Sequence, residues 1–419
     1  MKQSKLLQWI RFNKYPESSI IYILCAVQFV NILDFIMVMP MGPDFAKALG
    51  IPSSHLGWIG GSYTAASAIA GLIGSRFLDL YDRRIALSFA ILGLAFSTLL
   101  AAFAFNFETL LFARLLAGAF GGPTTSLVLS IATDISPVER RGRALGAVFS
   151  SFSIASILGV PVGLELARLG GWRAPFIAVG LLAFLVNLIA FFKIPSQRAH
   201  LDERQKQSVK TSSWSVLTRL DAWLAFACIG FGMITAFTMI PNFSAYLQFN
   251  LGYPREGLGQ LYFFGGLLSF ILMGTSGWAV DKFGSTPLAW VSTFLLVLVL
   301  WFGYHEFPPQ IPVMVMFVGF MGAMSIRGVA TSTLTSKVPL PHERASFMSL
   351  QSATQNACSA FGAFLSTLIL SQSSDGSLLN MPALSMFSIA ASLMIPVCVM
   401  YLESRVVKGL QFKANRPKI

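Results

Sequence analysis

The sequence predicts an all-α polytopic membrane protein, with twelve transmembrane helices in two pseudo-symmetric six-helix halves. Three observations carry that expectation. Of 419 residues, 55% are hydrophobic and only 11% charged, whereas about a quarter of a soluble domain is charged. Apolar runs of about twenty residues, enough for a helix to cross about 30 Å of hydrocarbon, recur along the chain. The second half also repeats landmarks of the first at an offset of 201 to 204 residues. Pro40 returns as Pro241, Leu49-Gly50 as Leu251-Gly252, Asp79 as Asp281, and Pro137 with Glu139-Arg140 as Pro341 with Glu343-Arg344. Four matches at nearly one offset indicate duplication, as in transporters built from two parallel repeats.

The spans follow in order. Lys2, Lys5, Arg11 and Lys14 precede the first apolar run, residues 20–39. That run is too long for a signal peptide and lacks a small-x-small cleavage site, so it reads as an uncleaved first span. Further spans are expected to start near Leu56, Ile85, Glu108, Ala144 and Arg173. After a hydrophilic linker at 195–220, the rest start near Ala222, Leu258, Pro287, Ile311, Ala345 and Ala383. The linker separates a half at 1–194 from a half at 221–419 that ends in a short basic tail. With both termini inside, 24 Lys and Arg residues fall on the inner side and four (Lys47, Arg168, Arg173, Arg255) on the outer side. That asymmetry predicts a multi-pass inner-membrane protein with cytoplasmic termini.

Span chemistry sorts in threes. The second, fifth, eighth and eleventh spans are dense in small residues, such as Gly57-Gly60-Gly61 and Gly265-Gly266-Ser269, which let helix backbones approach closely. The sixth, ninth and twelfth are bulky and are expected to face lipid. The first, fourth, seventh and tenth hold the polar groups: Gln28, Asn31 and Asp34; Arg114, Thr124 and Thr125; Thr235, Thr238 and Asn242; Arg327, Thr331 and Ser332. Polar groups at membrane depth belong in a protein interior or a water-filled cavity, which makes Gln28, Asn31, Thr235, Thr238, Asn242 and Arg327 cavity or substrate candidates.

Two very short charged turns separate membrane-length runs. The first, at 71–86, reads GLIGSRFLDLYDRRIA, and the second, at 274–289, reads GTSGWAVDKFGSTPLA. Here the chain resembles the major facilitator superfamily, whose signature is G-x-x-x-D-R-x-G-R-R. Gly277, Asp281, Lys282 and Gly284 match in the second copy. In the first, Asp79, Arg83 and Arg84 match, while Ser75, Leu80 and Asp82 depart from the pattern. The segment LLFARLLAGAFGG resembles the family's fourth-span R-x-x-q-G through Arg114 and Gly118, with Ala117 at the Gln position. The segment LGVPVG, carrying Gly159, Pro161 and Gly163, resembles the fifth-span motif of drug–proton antiporters and arabinose-efflux-type permeases. The resemblance implies that the polar spans line a central cavity, that the small-residue spans join the halves, and that Arg83 pairs with Asp134. It also implies that Asp79 sits at the start of the eleventh span.

Asp34 stands within the first span, where a carboxylate costs about 2.5–3.5 kcal/mol on insertion scales. It lies six residues before Pro40, and Arg114 lies six beyond Glu108, so both sit about 9 Å below the outer surface. Contact between them is therefore possible. The resemblance implies a proton carrier with its modulator; a fixed ion pair is the alternative. Pro161 reads either as part of the exporter motif or as an ordinary kink. Asp134 and the turn residues read either as gating contacts or as solvated charges. Arg327 lies inward of the middle of the tenth span with no counterpart acid evident at its depth, and either binding of an anionic substrate group or structural pairing fits it.

Several classes fall away. The net charge of +12 does not indicate nucleic acid, because its Lys and Arg lie in short loops and termini with no basic–aromatic run. Cys25, Cys228, Cys358 and Cys398 lie far apart in apolar runs, without metal or disulfide spacing. His55, His200, His305 and His342 fall at span ends or in loops, so no buried imidazole relay is expected. No G-x-x-x-x-G-K-[ST] pattern occurs, so no ATP site is expected. The expectation is a secondary transporter without cofactor or catalytic group, working as a monomer and exporting a small molecule in exchange for protons. A uniporter or importer of the same fold is the alternative within the class; a polytopic membrane enzyme is the alternative outside it.

Overall fold

The structure is a computed structural model that describes residues 17–77, 81–137, 140–197, 214–305, 311–339 and 344–414. Twelve long helical spans cover those segments. The first six are Glu17–Ile36, Leu56–Phe77, Arg83–Ala102, Phe107–Ile135, a broken helix from Arg141 to Gly170, and Arg173–Lys193. The second six are Leu220–Met239, Leu258–Phe283, Ser285–Leu300, Val313–Thr335, Arg344–Ile369 and Met381–Ala414. Each begins within three residues of the expected start. Where the two differ, most helices begin earlier, because a helical turn continues past the apolar boundary that hydropathy detects. Eleven of the spans are long and apolar enough to cross a membrane. The remaining one, Arg344–Ile369, has the length at 26 residues but is diluted by Ser, Thr, Gln and Asn.

The chain forms two compact units. One holds the residues up to Gly50 and from Ser62 to the linker; the other holds Ile51–Gly61 and everything after the linker. The second span is therefore shared, with its first residues assigned to the second unit. In that unit Gly57 lies so close to Arg344–Ile369 that a Cβ there would meet Ala363 O at 2.2 Å. A short hairpin pairs Ser371–Gln372 with Leu378–Leu379. Gln372 Oε1 accepts from Ser53 N at 2.6 Å, and Asn250 exchanges two hydrogen bonds with Leu378.

Within the first unit the second and fourth spans cross at glycines. A Cβ on Gly118 would lie 2.1 Å from Tyr63 O, and one on Gly122 would lie 2.7 Å from Ser67 O. The fifth span is interrupted by a π-helical turn, Ala155–Gly159, placed just before Pro161, whose ring nitrogen cannot donate to the preceding turn. Gly159 faces Leu33 there, with 2.6 Å between a built Cβ and the leucine Cδ1. Gly163 stands opposite Met37. The bulky spans are exposed where lipid contact is expected, at Phe184, Phe192, Phe294, Met394 and Met400. The third and eighth spans add an exposed face of their own, including Phe89, Phe96, Phe270 and Trp278.

Each unit is tied internally at one helix start by its own acid. In the first, Asp82 caps the third span: it accepts from Arg84 N, Gln197 N and Ser196 Oγ, so it binds the end of the sixth span too. Burial by itself would raise this carboxyl, but those three hydrogen bonds and the Arg84 charge hold it below the ordinary carboxylate value. In the second, Glu403 of the twelfth span accepts from Ser285 N at 2.8 Å and Thr286 N at 2.9 Å, at the start of the ninth. Gly284, at φ +88, turns the chain into that cap with 3.0 Å between a built Cβ and Glu403 Oε1.

Candidate functional site

In the first unit the first and fourth spans run past each other with matched polar faces. Gln28, Asn31 and Asp34 recur every three residues and so share one face. Opposite them stand Thr125, Gly121, Gly118 and Arg114. Gln28 Nε2 reaches Thr125 Oγ1 at 3.4 Å. Asn31 Nδ2 donates to Thr125 Oγ1 at 2.8 Å and to Gly121 O at 3.1 Å. At the third rung Arg114 grips Asp34 in a bidentate pair, Nη1 to Oδ1 and Nη2 to Oδ2, each at 3.0 Å. Arg114 is 1% exposed and Asp34 fully buried, so the pair is sealed from solvent.

Two further spans complete the pair. Thr98 Oγ1 of the third span donates to Asp34 Oδ1 at 2.8 Å. Tyr63 of the second lies with its ring 4.9 Å from the Arg114 guanidinium carbon, stacks on Phe35, and donates its hydroxyl proton to Asn31 Oδ1. Gly121 makes that last bond possible, because a Cβ there would sit 2.1 Å from Tyr63 Oη. Asn31 is thereby committed on all sides, whereas Gln28 Oε1 and Arg114 Nε are buried without a partner among the described residues. Such an arrangement can exchange charge cheaply only as a unit. A proton on Asp34 would cancel one charge and leave a guanidinium to find another acceptor.

Sequence reasoning missed Thr98 and Tyr63. Thr98 is one of two adjacent hydroxyls in the run FSTLLAA, and nothing in one dimension aims it at the first span. Tyr63 carried a weak signal as a polar aromatic among glycines and serines. It also missed Asp82 and Glu403 as caps; Asp82 was visible only as a departure from the turn signature.

The turn residues fall as follows. Arg83 donates to Asp134, the pairing that the resemblance implied. The Arg84 guanidinium sits over the Phe191 ring. Asp79 lies outside the described residues. In the second turn Asp281 is exposed, and Lys282 Nζ lies 5.1 Å above the Trp278 ring. Gly277 has open space around it.

The second unit has polar residues but, among the described residues, no buried ion pair that matches Asp34–Arg114. The hydroxyls of Thr235 and Thr238 bond back to Phe231 O and Ile234 O of their own span. Asn242 Nδ2 donates to Thr238 O, and its Oδ1 is buried without a partner among the described residues. Arg327 is buried, and its Nη2 donates to Gly232 O at 2.9 Å.

A bundle of twelve spans with buried, hydrogen-bonded polar groups at membrane depth is an architecture that membrane transporters use. The profile of the Major Facilitator Superfamily matches residues 24–363, and the chain belongs to that family. It is a multi-pass transporter of this superfamily. It is 30% identical over 197 residues to a probable sugar efflux transporter of Mannheimia succiniciproducens, a match covering 45% of this chain and 48% of that one. It is 25% identical over 295 residues to the purine ribonucleoside efflux pump NepI of Escherichia coli, covering 68% and 71%. Among solved structures it is similar to the xylose transporter XylE from E. coli, with a TM-score of 0.71, 14% identity, and coverage of 91% and 96%.

Proposed function

We propose that this protein exports a small molecule across the cytoplasmic membrane in exchange for protons, by alternating access. Asp34 carries the proton and Arg114 modulates it. The observation behind this reading is the sealed Asp34–Arg114 pair, an acid and a base held bidentate within two membrane spans. Burial opposes both charges, and each charge is tolerated only through the other. Protonation of Asp34 releases Arg114, so proton occupancy is converted into a change in helix–helix contact. A proton moved down the membrane potential supplies about 2.3 kcal/mol per 100 mV. The export direction is supported by the fifth-span motif around Pro161 and by relatives named as efflux proteins.

The test is flux in liposomes under an imposed pH gradient, after a compound library has been screened for thermal stabilisation of the purified protein. Asp34→Asn, well inserted and folded, is expected to lose uphill transport while still equilibrating substrate down its own gradient. An Asn variant that still concentrates substrate assigns the proton to another group and leaves the pair structural.

A further inference from the structure

Arg327 presents a different problem from Arg114. It lies fourteen residues after Val313 and eight before Thr335, about 21 Å and about 12 Å from the two ends of its span. It is 3% exposed. Its guanidinium makes two contacts among the described residues, both from Nη2: to Gly232 O, and to the soft sulfur of Met324. Nη1 is buried with no acceptor. Among the described residues of the second unit's spans, no carboxylate lies at this depth. Asp221 is engaged by Arg219 at the start of the seventh span, and Glu403 caps the ninth. Glu256, Asp281 and Asp375 stand before the eighth span, near its end and in the hairpin. Glu306 and Glu343 lie beyond both ends of Arg327's own span in the sequence.

The charge is not an inheritance of the duplication either. Subtracting the 201–204 offset from Arg327 gives positions 123–126, Pro-Thr-Thr-Ser, and adding it to Asp34 gives 235–238, Thr-Ala-Phe-Thr. The second half thus lacks both members of the first half's pair and has a lone cation where the first half has Thr124 and Thr125. The adjacent backbone leaves room for it: at Gly232 a built Cβ would already lie 3.9 Å from Arg327 Nε and Nη2. A buried guanidinium without a counter-charge costs several kcal/mol, and an Arg offers a planar fork matched to two oxygens of an oxyanion.

From this we infer that Arg327 is the receptor for an anionic group, a carboxylate or a phosphate monoester, on the transported molecule. The inference rests on the transport reading and specifies its substrate class. Nη1 supplies the free donor, and the bound oxyanion provides the counter-charge that the unit lacks. Its depth, about 12 Å inside the nearer helix end, places it away from lipid headgroups, so the anion must arrive on a molecule that enters the protein.

The experiment is a binding measurement on the purified full chain in detergent, read as the shift in thermal unfolding midpoint at matched ionic strength. The probes are glucuronate and glucose 6-phosphate against glucose, benzoate against benzamide, and inorganic phosphate alone. At least one organic anion is expected to raise the midpoint where its neutral counterpart does not. Arg327→Gln should weaken that binding about tenfold or more, the loss of one charge-assisted contact. Arg327→Lys should keep part of it as a point charge, and it also reports if the Gln variant does not fold. The unliganded midpoint of Arg327→Gln should not fall, since removing an uncompensated charge relieves the apo protein. Binding is read in detergent with no proton gradient imposed, so its outcome bears on the substrate class alone, and loss of coupled flux in liposomes bears on the proton reading. The inference is overturned if no organic anion shifts the wild type, or if charged and neutral probes shift it equally. It is also overturned if inorganic phosphate alone accounts for the shift, or if Arg327→Gln retains it.

Discussion

At the scale of single residues, the Asp34–Arg114 pair is best understood through what each partner would become alone. A buried pair contributes little net stability against an apolar replacement, but stranding one partner costs about 3–5 kcal/mol. Arg114→Gln alone should therefore lower the unfolding midpoint sharply, and Asp34→Asn with Arg114→Gln should recover much of it. A double-mutant cycle on the purified protein measures the coupling; additive losses would mean that the pair is not energetically linked. Thr98→Val, which removes the third-span donor to Asp34 Oδ1 at constant shape, should leave insertion intact and alter the pH dependence of transport more than the maximal rate. Flux measured across a pH series decides between those two effects.

At the scale of elements, close helix crossings and caps set the positions of these residues. Gly118 of the fourth span packs on the Tyr63 backbone, where any side chain would collide with a carbonyl oxygen rather than a movable tip. Gly118→Val is expected to cost about 1–3 kcal/mol through overpacking. Gly146→Ala, on the fifth span with open space around it, should be close to neutral. Unfolding midpoints of the two variants test the contrast. The caps behave differently. Asp82→Ala should cost about 0.5–2 kcal/mol, as other N-cap losses do. Because the folded carboxyl is held below its unfolded value, its stabilisation is complete above the unfolded pKa and disappears as pH falls through the folded one. The stability difference between Asp82→Ala and wild type should therefore shrink below about pH 4, and midpoints measured from pH 3 to 7 report it.

For the whole molecule, orientation and gating each have a direct readout. Cysteine labelling from either side should place Glu17, the 198–210 linker and Lys413 inside and Asp44 and Asp375 outside; a linker labelled from outside would sink the twelve-span topology with cytoplasmic termini. Alternating access requires contacts that form in one state and break in the other. Asp79→Asn and Arg83→Gln should therefore slow exchange, or shift the population of conformers, more than they weaken substrate binding. Exchange kinetics measured beside affinity separate the two, and a collapse of affinity at unchanged rate would assign these residues to the binding site.

The sequence by itself determined the number of spans, their starts within three residues, the duplication, and the placement of Asp34, Arg114 and Arg327 on the first, fourth and tenth. Those properties follow from hydropathy over about twenty residues and from charge placement, both local sums that need no partner. It also brought Asp34 and Arg114 to the same depth, because rise per residue converts position in a span into distance. Only the tertiary structure decided what each polar group touches. Rotation of one helix about its axis, and the crossing permitted by Gly118 and Gly121, select Tyr63 and Thr98 as partners of the pair. The same packing committed Asn31 while leaving Gln28 Oε1 open, although both looked alike as polar residues on one face. It also left Arg327 without a counter-charge in its unit. An unmet charge is a property of everything packed around it, and that neighbourhood is assembled from residues nearly a hundred positions apart, Gly232 and Arg327 among them.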